Sequence, residues 1–398
     1  MANKLPKGWI LSTLADVGSI TTGITPSKNI RAYYEGGSIP FVKPPDLGRS
    51  EPVIQASDNL TEEGFKKAKP IPINSIMVCC IGSLGKIGIA GKELATNQQI
   101  NSISFDEKKV EFKYGYYYAL TLEEYMTFVA NKAVVSIINK SAFSNFPFPL
   151  SPLPEQRRIV AKLDSLFERI DRAIRLAEQN IIRAQQLMES VLNDVLEGLD
   201  CVRVKLQDAC IINPLKSEVK GLGDIEVSFL PMADLNEHQI DFTPKQTKKL
   251  TEVYTGYTYF KDGDVLLAKV TPCFENGKAG LASNLVNGIG FGSSEYYVLR
   301  ANPNILPAYI YYNLTTFEFL LLGAQNMSGA VGLKRVTKEF LFNYKIPVPS
   351  LAVQEDVIKY FADQTTKVSA LTARMKIRLA KLGALKSSLL DSAFKGEL

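Results

Sequence analysis

The residue patterns that would support catalysis are weak in this chain of 398 residues. An adenine methyltransferase carries an Asn-Pro-Pro-aromatic motif, and the nearest strings are KPPD at 43–46 and NPLK at 213–216. Neither has both the leading asparagine and the aromatic residue, so we interpret both as loop turns. Nuclease sites use Glu-x-Lys pairs to hold Mg²⁺ beside a further carboxylate. With 46 basic and 41 acidic residues, chance pairs are expected, and we interpret three as solvated surface: Glu107/Lys109, Glu111/Lys113 and Glu218/Lys220.

The histidine count restricts nucleophilic and metal chemistry. His238 is the only histidine, so a serine or cysteine triad and a zinc site both lack the residues they need. No G-x-x-x-x-G-K-[ST] loop is present for nucleotide phosphates. The five cysteines form no C-x-x-C pair, which favours reduced, mostly buried thiols at 79, 80, 201, 210 and 273. The sequence therefore predicts a non-catalytic chain with no metal and no cofactor.

The overall composition is that of a globular protein. Hydrophobic residues make up 46% and charged residues 22% of the chain. No apolar run reaches the roughly 18 residues of a membrane-spanning helix, and the start, MANKLPKGWI, lacks the apolar core of a signal peptide. We therefore expect a cytoplasmic protein. The formal charge of +5 is compatible with an anionic partner but does not identify one.

An internal repeat divides the chain into two similar halves. The string LADV at 14–17 matches LQDA at 206–209, and GKIGIA at 85–90 matches GKAGLA at 277–282, each 192 residues apart. Between them, Phe41 with Asp46 matches Phe229 with Asp234. The order is kept and the offset drifts by only a few residues, reaching 198 at Pro149 and Pro347. These matches predict a duplication.

Each half begins with a part rich in Tyr, Phe, Val, Ile and Gly. Short apolar runs at 75–80 and 264–268 predict strands, and the segments 114–130 and 307–322 predict helices. We expect α+β domains over residues 1–153 and 199–351.

Each half ends with a long amphipathic segment, at 154–198 and 352–398, that contains no proline after Pro154. Apolar residues recur there at steps of three and four, the pattern of a coiled-coil seam. A helix of about 43 residues spans roughly 65 Å and cannot bury such a stripe alone. We expect the two helices to form an antiparallel pair with pseudo-twofold symmetry, ending near Gly198 and Gly396. The predicted seam contains Leu163, Leu166, Ile170, Ala177, Ile181, Met188, Phe361, Val368, Leu371, Met375, Leu382 and Leu385.

These features resemble the specificity subunit of type I restriction–modification systems, the HsdS family, over nearly the whole chain. The string PLPEQRRIV at 152–160 is the most specific, and it resembles the entry to that family's central helix. The strings GSLG at 82–85 with TNQQI at 96–100, and GSSEYYVLR at 292–300, resemble a turn and a following strand of the same family. The second helix entry, LAVQE at 351–355, departs from the pattern because it lacks the proline.

The resemblance implies a function without chemistry. In that family each globular domain is a target recognition domain that reads one half of a split sequence in double-stranded DNA. The helices set the separation and bind two methyltransferase subunits, and endonuclease subunits complete the restriction enzyme. Residues 1–153 hold 16 basic and 13 acidic residues, and residues 199–351 hold 15 of each. This modest charge predicts weak DNA affinity for the isolated chain.

Candidate DNA contacts follow from residue type. The small residues of the turn at 82–86 let a backbone approach a phosphate, and Gly277 with Lys278 is the equivalent turn. Arginine can fork onto guanine, and lysine can reach bases or phosphates. The candidates are Lys28, Arg31, Lys43, Arg49, Ser83 and Lys86 in the first domain, and Lys245, Lys248, Lys249, Lys278, Lys334 and Arg335 in the second.

Three alternatives remain open from the sequence. The chain could be a stand-alone methyltransferase or nuclease, which binding of S-adenosylmethionine would indicate. It could be a protein scaffold, which a gel shift without sequence preference would indicate. It could also serve a related system in which methylation and cleavage are fused in the partner.

Overall fold

A computed structural model describes residues 5–48, 51–131, 137–330 and 332–398, with the backbone alone at 128–131. The chain divides into two compact units, Met1–Ala177 with Ile377–Leu398, and Glu178–Lys376. Among the described residues, no helix combines the length and the apolar content needed to cross a membrane.

The described residues of the first unit contain ten strands and the start of a long helix. In chain order the elements are β1 Ile10–Thr13, α1 Leu14–Val17, β2 Gly18–Thr22, β3 Ile39–Val42, β4 Asp58–Leu60, α2 Glu62–Phe65, β5 Pro70–Ile71, β6 Ile76–Cys79, β7 Ile87–Ile89, β8 Leu94–Thr96, β9 Ile100–Phe105, α3 Phe112–Leu120, α4 Leu122–Asn131, α5 Lys140–Ser144, β10 Pro147–Leu150 and α6 Leu153–Glu197.

The second unit repeats this order and adds a hairpin. Its elements are β11 Arg203–Lys205, α7 Leu206–Ala209, β12 Cys210–Ile212, β13 Glu226–Leu230, β14 Gln246–Lys249, α8 Leu250–Val253, β15 Thr258–Lys261, β16 Asp264–Ala268, β17 Ala279–Leu281, β18 Ile289–Gly292, β19 Tyr296–Ala301, α9 Pro307–Leu314, α10 Phe317–Gln325, β20 Met327–Ala330, β21 Leu333–Val336, α11 Lys338–Asn343, β22 Lys345–Pro347 and α12 Leu351–Lys395.

The sheet topology confirms the predicted duplication. The first unit has two four-stranded sheets in the orders β2-β9-β6-β7 and β4-β3-β8-β5, and a separate pair β1-β10. The second unit has β12-β19-β16-β17, β14-β13-β18-β15 and the pair β11-β22. The pairing directions also agree, since β3 lies parallel to β8 and β13 lies parallel to β18. Each of β1 to β10 thus has its counterpart in the second copy, where the hairpin β20–β21 is additional.

The central strand of each domain explains why its sequence is a continuous apolar run. Side chains alternate between the faces of a strand. In β6, Val78 enters the core that faces the helices, and Met77 enters the core between the sheets. In β16, Leu267 enters the core that faces the helices, and Leu266 enters the core between the sheets. Because both faces are covered, neither strand shows the polar–apolar alternation of a half-exposed strand.

The helical segments predicted at 114–130 and 307–322 are each broken into two helices. In the second unit the break falls at Thr315 and Thr316. The side chain of Thr316 accepts a hydrogen bond from the amide of Phe319, which caps the start of α10. A threonine pair inside an apolar segment was therefore the signal for a helix start rather than for continuation.

The two long helices pack antiparallel in both units, as predicted. In the first unit, Lys386 of α12 donates to Asp171 of α6 at 2.5 Å, and Arg158 donates to the carbonyl of Leu398 at 2.8 Å. In the second unit, Leu196 of α6 shares a core with Phe361 of α12. The helices end at Glu197 and Lys395, beside the expected glycines, and Gly396 has the left-handed φ of 76° common after a helix.

The predicted seam is wrong at two positions of α12. Leu371 and Leu385 are 42% and 46% exposed, while the inward positions nearby are occupied by Thr372 and Lys386. The half-buried positions of this part of α12 are 368, 372, 375, 379, 382, 386 and 389, so the steps still alternate between three and four, but each step of four comes where the prediction placed a step of three. Of the remaining predicted seam residues, none is exposed: Leu163, Leu166, Ile170, Ala177, Ile181, Met188, Phe361, Val368, Met375 and Leu382.

Candidate nucleic-acid interface

The first-domain candidates lie in loops and in one turn. Lys28 and Arg31 are exposed in the segment between β2 and β3. Lys43 directly follows β3 and forms an ion pair with Asp58. Arg49 lies outside the described residues. Two basic side chains of this domain are thus presented to solvent in one loop.

The turn between β6 and β7 is held by its own backbone. The amides of Leu84 and Gly85 donate to the carbonyls of Gly82 and Cys79, both at 3.0 Å. Gly85 has a φ of 76°, and a side chain there would collide with the backbone of Glu123 at 2.3 Å. These two amides are therefore occupied, and the exposed Ser83 presents the turn's side-chain hydroxyl to solvent.

Lys86 and Lys278 make the same contact in the two domains. The amine of Lys86 donates to the carbonyl of Pro44 at 2.9 Å, and that of Lys278 donates to the carbonyl of Met232 at 3.4 Å. Pro44 lies in the short 3₁₀ turn after β3, which ends in Val42. Met232 lies in the equivalent turn after β13, which ends in Leu230. The lysines thus tie two loops together. The repeat offset of 192 was the sequence signal for this shared role.

The three lysines near β14 each have a partner. Lys245 binds Asp234 at 2.9 Å and Lys249 binds Asp224 at 3.1 Å. The amine of Lys248 lies 3.9 Å from the ring centre of Phe229, a cation–π contact. Because β14 is an edge strand, these side chains also mark the border of the sheet.

A basic concave surface of the second unit lies beside the β20–β21 hairpin. Its volume is about 470 Å³, and Lys269 is half-buried in it. Burial lowers the pKa of Lys269, and its amine donates to the carbonyl of Ser294 at 2.7 Å. The side chains that contribute charge or aromatic surface are Lys216, Tyr257, Tyr259, Lys269, Tyr296, Tyr297, Arg335 and Lys338.

Arg335 is fixed in this cleft by Glu295. Its Nε and Nη2 donate to the two carboxylate oxygens of Glu295 at 2.9 and 2.7 Å. Hydrogen bonds from Arg335 hold the pKa of Glu295 below its usual range, so the carboxylate stays charged near neutral pH. Sequence reasoning selected Arg335 but missed Glu295, which is 40 residues away in the chain.

A buried ion-pair network forms the back of the same region. Arg300 donates to Asp264 through Nε at 2.7 Å and through Nη2 at 2.8 Å, and Asp264 is fully buried. Nη1 of Arg300 also binds Glu218 at 2.7 Å. Burial alone would raise the pKa of Glu218, but its hydrogen bonds and charge contact with Arg300 lower it overall. The network fixes the segment that carries Lys216 against the sheet.

Each domain is joined to a long helix by an equivalent buried glutamine. The Gln156 amide donates to the carbonyls of Lys109 and Ser151 and accepts from the amide of Glu111, all at 2.7–2.8 Å. Gln354 contacts the carbonyls of Asn304 and Pro349 and the amide of Leu306 in the same way. Both side chains are completely buried. Gln156 and Gln354 are 198 residues apart, the same offset as Pro149 and Pro347, but their clamping role was not visible in the sequence.

The chain contains two copies of one α+β domain, and segments of two antiparallel helices pack on each copy. This arrangement defines the class of tandem-domain proteins with long connecting helices. The family described as the type I restriction modification DNA specificity domain matches residues 6–179 and again 202–380. The chain therefore belongs to this family.

Named relatives agree with the family match. The chain is 38% identical over 160 residues to the type I restriction enzyme EcoEI specificity subunit of Escherichia coli, which covers 40% of this chain and 27% of that protein. It is 20% identical to the EcoKI specificity subunit of Escherichia coli K12 over 100% of this chain and 90% of that one. The matches to the first relatives, which include the EcoAI and HindI subunits, span about a quarter to a third of their length.

Solved structures share the fold. A chain from a study of complex assembly and conformational transition of the type I R-M system superposes with a TM-score of 0.74 at 21% identity, covering 99% of this chain and all of that one. The HsdS subunit from Thermoanaerobacter tengcongensis superposes with a TM-score of 0.55 at 22% identity, covering 100% and 99%.

Proposed function

We propose that this chain is the DNA specificity subunit of a type I restriction–modification complex, and that each of its two domains reads one half of a split target. The observation that carries the proposal is the duplicated topology within this family. Two copies of one fold suit two half-sites, while their different surface residues suit two different sequences.

The domain roles follow from the same proposal. Residues 1–153 and 199–351 are the two target recognition domains, and residues 154–198 and 352–398 are the helices that space them and dock the partners. The partners are double-stranded DNA, two methyltransferase subunits and endonuclease subunits. The chain itself is non-catalytic and acts in the cytoplasm, where the DNA lies. The relatives named above are specificity subunits of type I restriction enzymes, which supports this division of labour.

The candidate contacts divide into two groups by their surroundings. Lys28, Arg31 and Lys334 are exposed, and no side-chain partner is recorded for them within the described ranges. We assign these three residues, and the exposed Ser83, to phosphates. Six further candidates hold loops and strand edges in place for reading: Lys43, Lys86, Lys245, Lys248, Lys249 and Lys278. Arg49 stays a prediction.

Exchange of one domain tests the proposal. Replacing residues 1–153 by the equivalent domain of another family member is expected to change one half of the methylated sequence and leave the other half intact, because each domain has its own core and its own polar surface. The measurement is methylation mapping of a host genome that expresses the hybrid with its methyltransferase subunit. A hybrid that changes both halves would contradict independent reading.

The matched control is the reciprocal hybrid with residues 199–351 exchanged. It should change only the other half-site. The same swap done within the helices, at residues 154–198 alone, should leave both half-sites unchanged in sequence.

A further inference from the structure

The hairpin β20–β21 is an exposed two-stranded ribbon anchored at its base. The strands pair from Met327 with Val336 to Ala330 with Leu333, and Ser328 to Ala330 are exposed. At the base, the amide of Val336 donates to the carbonyl of Lys269 at 2.9 Å, and the carbonyl of Lys334 accepts from Thr271 at 3.0 Å. The major groove of B-form DNA admits a two-stranded ribbon of this kind. The hairpin is therefore an element that can enter a groove without losing its anchor.

Arg335 leaves the ribbon with its guanidinium already oriented. Two of its five N–H groups are bound to Glu295, and three remain for a ligand, including the parallel pair formed by one N–H of Nη1 and one of Nη2. The side chain is 42% exposed. Since Glu295 fixes the rotamer, little conformational freedom remains to be lost on binding. A planar donor edge with this geometry matches the O6 and N7 acceptors of guanine.

The residues that hold Glu295 are fixed as well. The amide of Glu295 donates to Ser293 Oγ at 3.2 Å, and its carbonyl accepts from Lys269 at 2.9 Å. Lys269 also binds the carbonyl of Ser294 through its side chain. The carboxylate is thus held by a loop bonded on both sides, which is the support that precise recognition needs.

We propose that Arg335, oriented by Glu295, reads one guanine in the major groove of the half-site contacted by residues 199–351, and that neighbouring Lys334 binds phosphate without reading sequence. This rests on the proposed function. Arg335 and Lys334 are adjacent in one strand, so their side chains leave opposite faces of the ribbon. That arrangement separates base reading from phosphate binding.

Three variants of the assembled methyltransferase complex test this inference, with methylation mapping as the readout. Arg335→Ala is expected to make one guanine of that half-site degenerate, with a loss of discrimination of about five- to 150-fold, and to leave the other half-site unchanged. Arg335→Lys should lose the same discrimination because an ammonium cannot fork. Glu295→Gln should relax the same position to a smaller extent.

The matched control is Lys334→Ala on the same strand. It should weaken binding to all sequences equally, lower the salt dependence of binding by about one ion, and leave the methylated sequence unchanged. Loss of base preference in Lys334→Ala, or an unchanged sequence in both Arg335 variants, would overturn the assignment. A half-site without a G·C pair would overturn it too.

If the complex that carries Arg335→Ala methylates no site, its affinity for DNA tests the contact instead. Duplexes with 7-deazaguanine at each guanine in turn remove the N7 acceptor. With the wild-type complex, the replacement at one position should lower the affinity for DNA. The same replacement should cause no further loss of affinity with the Arg335→Ala complex. Additive losses at every position would contradict the contact. Failure of the proposed function itself looks different, because the wild-type complex would then show no split methylated sequence.

Discussion

Asp264→Asn is expected to destabilise the second unit by about 3–5 kcal/mol, the usual cost of removing one partner from a buried ion pair. Asp264 is fully buried, and the side chain of Arg300 is only 14% exposed. Neutralising the acid leaves the guanidinium with Glu218 alone, and weakens the bond from the Lys261 amide to the same carboxylate. The cost is the desolvation of a charge that has lost its main partner.

The measurement is equilibrium urea unfolding with two signals. Trp9, the only tryptophan, lies in the first unit, so its fluorescence should keep the wild-type midpoint while the circular dichroism transition of the second unit moves to lower urea. Asp224→Asn is the control, because its ion pair with Lys249 is exposed and should contribute little to stability. Equal shifts for the two variants would show that the buried network carries no special stability.

The double variant Asp264→Asn with Arg300→Met distinguishes lost attraction from an unpaired charge. If the cost arises from the guanidinium left in a buried site, replacing it by an apolar side chain should recover part of the loss. Additive costs would mean that each residue stabilises the unit by itself.

Gln354→Leu is expected to cost about 2–5 kcal/mol, because three backbone groups lose their buried partner. Each unsatisfied buried group costs about 1–3 kcal/mol, and leucine returns part of this through apolar burial. Gln156→Leu should cost a similar amount in the other unit. The contacts of the two glutamines are equivalent, so the chain provides its own replicate.

In the same unfolding experiment, the two glutamine variants should differ in which of the two signals they shift. Gln156→Leu should shift the Trp9 transition, and Gln354→Leu should leave it in place. Gln364→Leu, one more residue of α12, is the control, since its side chain donates only to neighbouring Asp363 and should change stability by less than about 1 kcal/mol. Identical shifts for Gln354→Leu and Gln364→Leu would exclude a clamping role.

The duplication and the long helices could be predicted because they depend on local or repeated signals. Matched strings with a constant offset survive loop insertion, and an amphipathic stripe is visible in any helix. The phase of α12 could not be predicted from apolar residues alone, since Thr372 and Lys386 occupy inward positions. A lysine can do so because its amine lies 4.9 Å from the ring centre of Phe167, a cation–π contact, and also binds Asp171.

The candidate interface was only partly predictable, because its geometry depends on contacts distant in sequence. Arg335 and Glu295 are 40 residues apart and Arg300 and Asp264 are 36 apart, and residue type alone does not show which acid meets which base. The same limit applies to Lys86, which residue type placed on a phosphate and the fold places on a backbone carbonyl. Pairing of charges is set by strand order, which emerges only in the folded sheets.

Methylation mapping of a host genome with and without this chain, in the presence of its methyltransferase subunit, tests the central claim most directly. We expect a methylated sequence of two specific segments separated by an unspecific gap of fixed length, present only when the chain is expressed. A single continuous recognition sequence, or methylation that is the same without the chain, would contradict it.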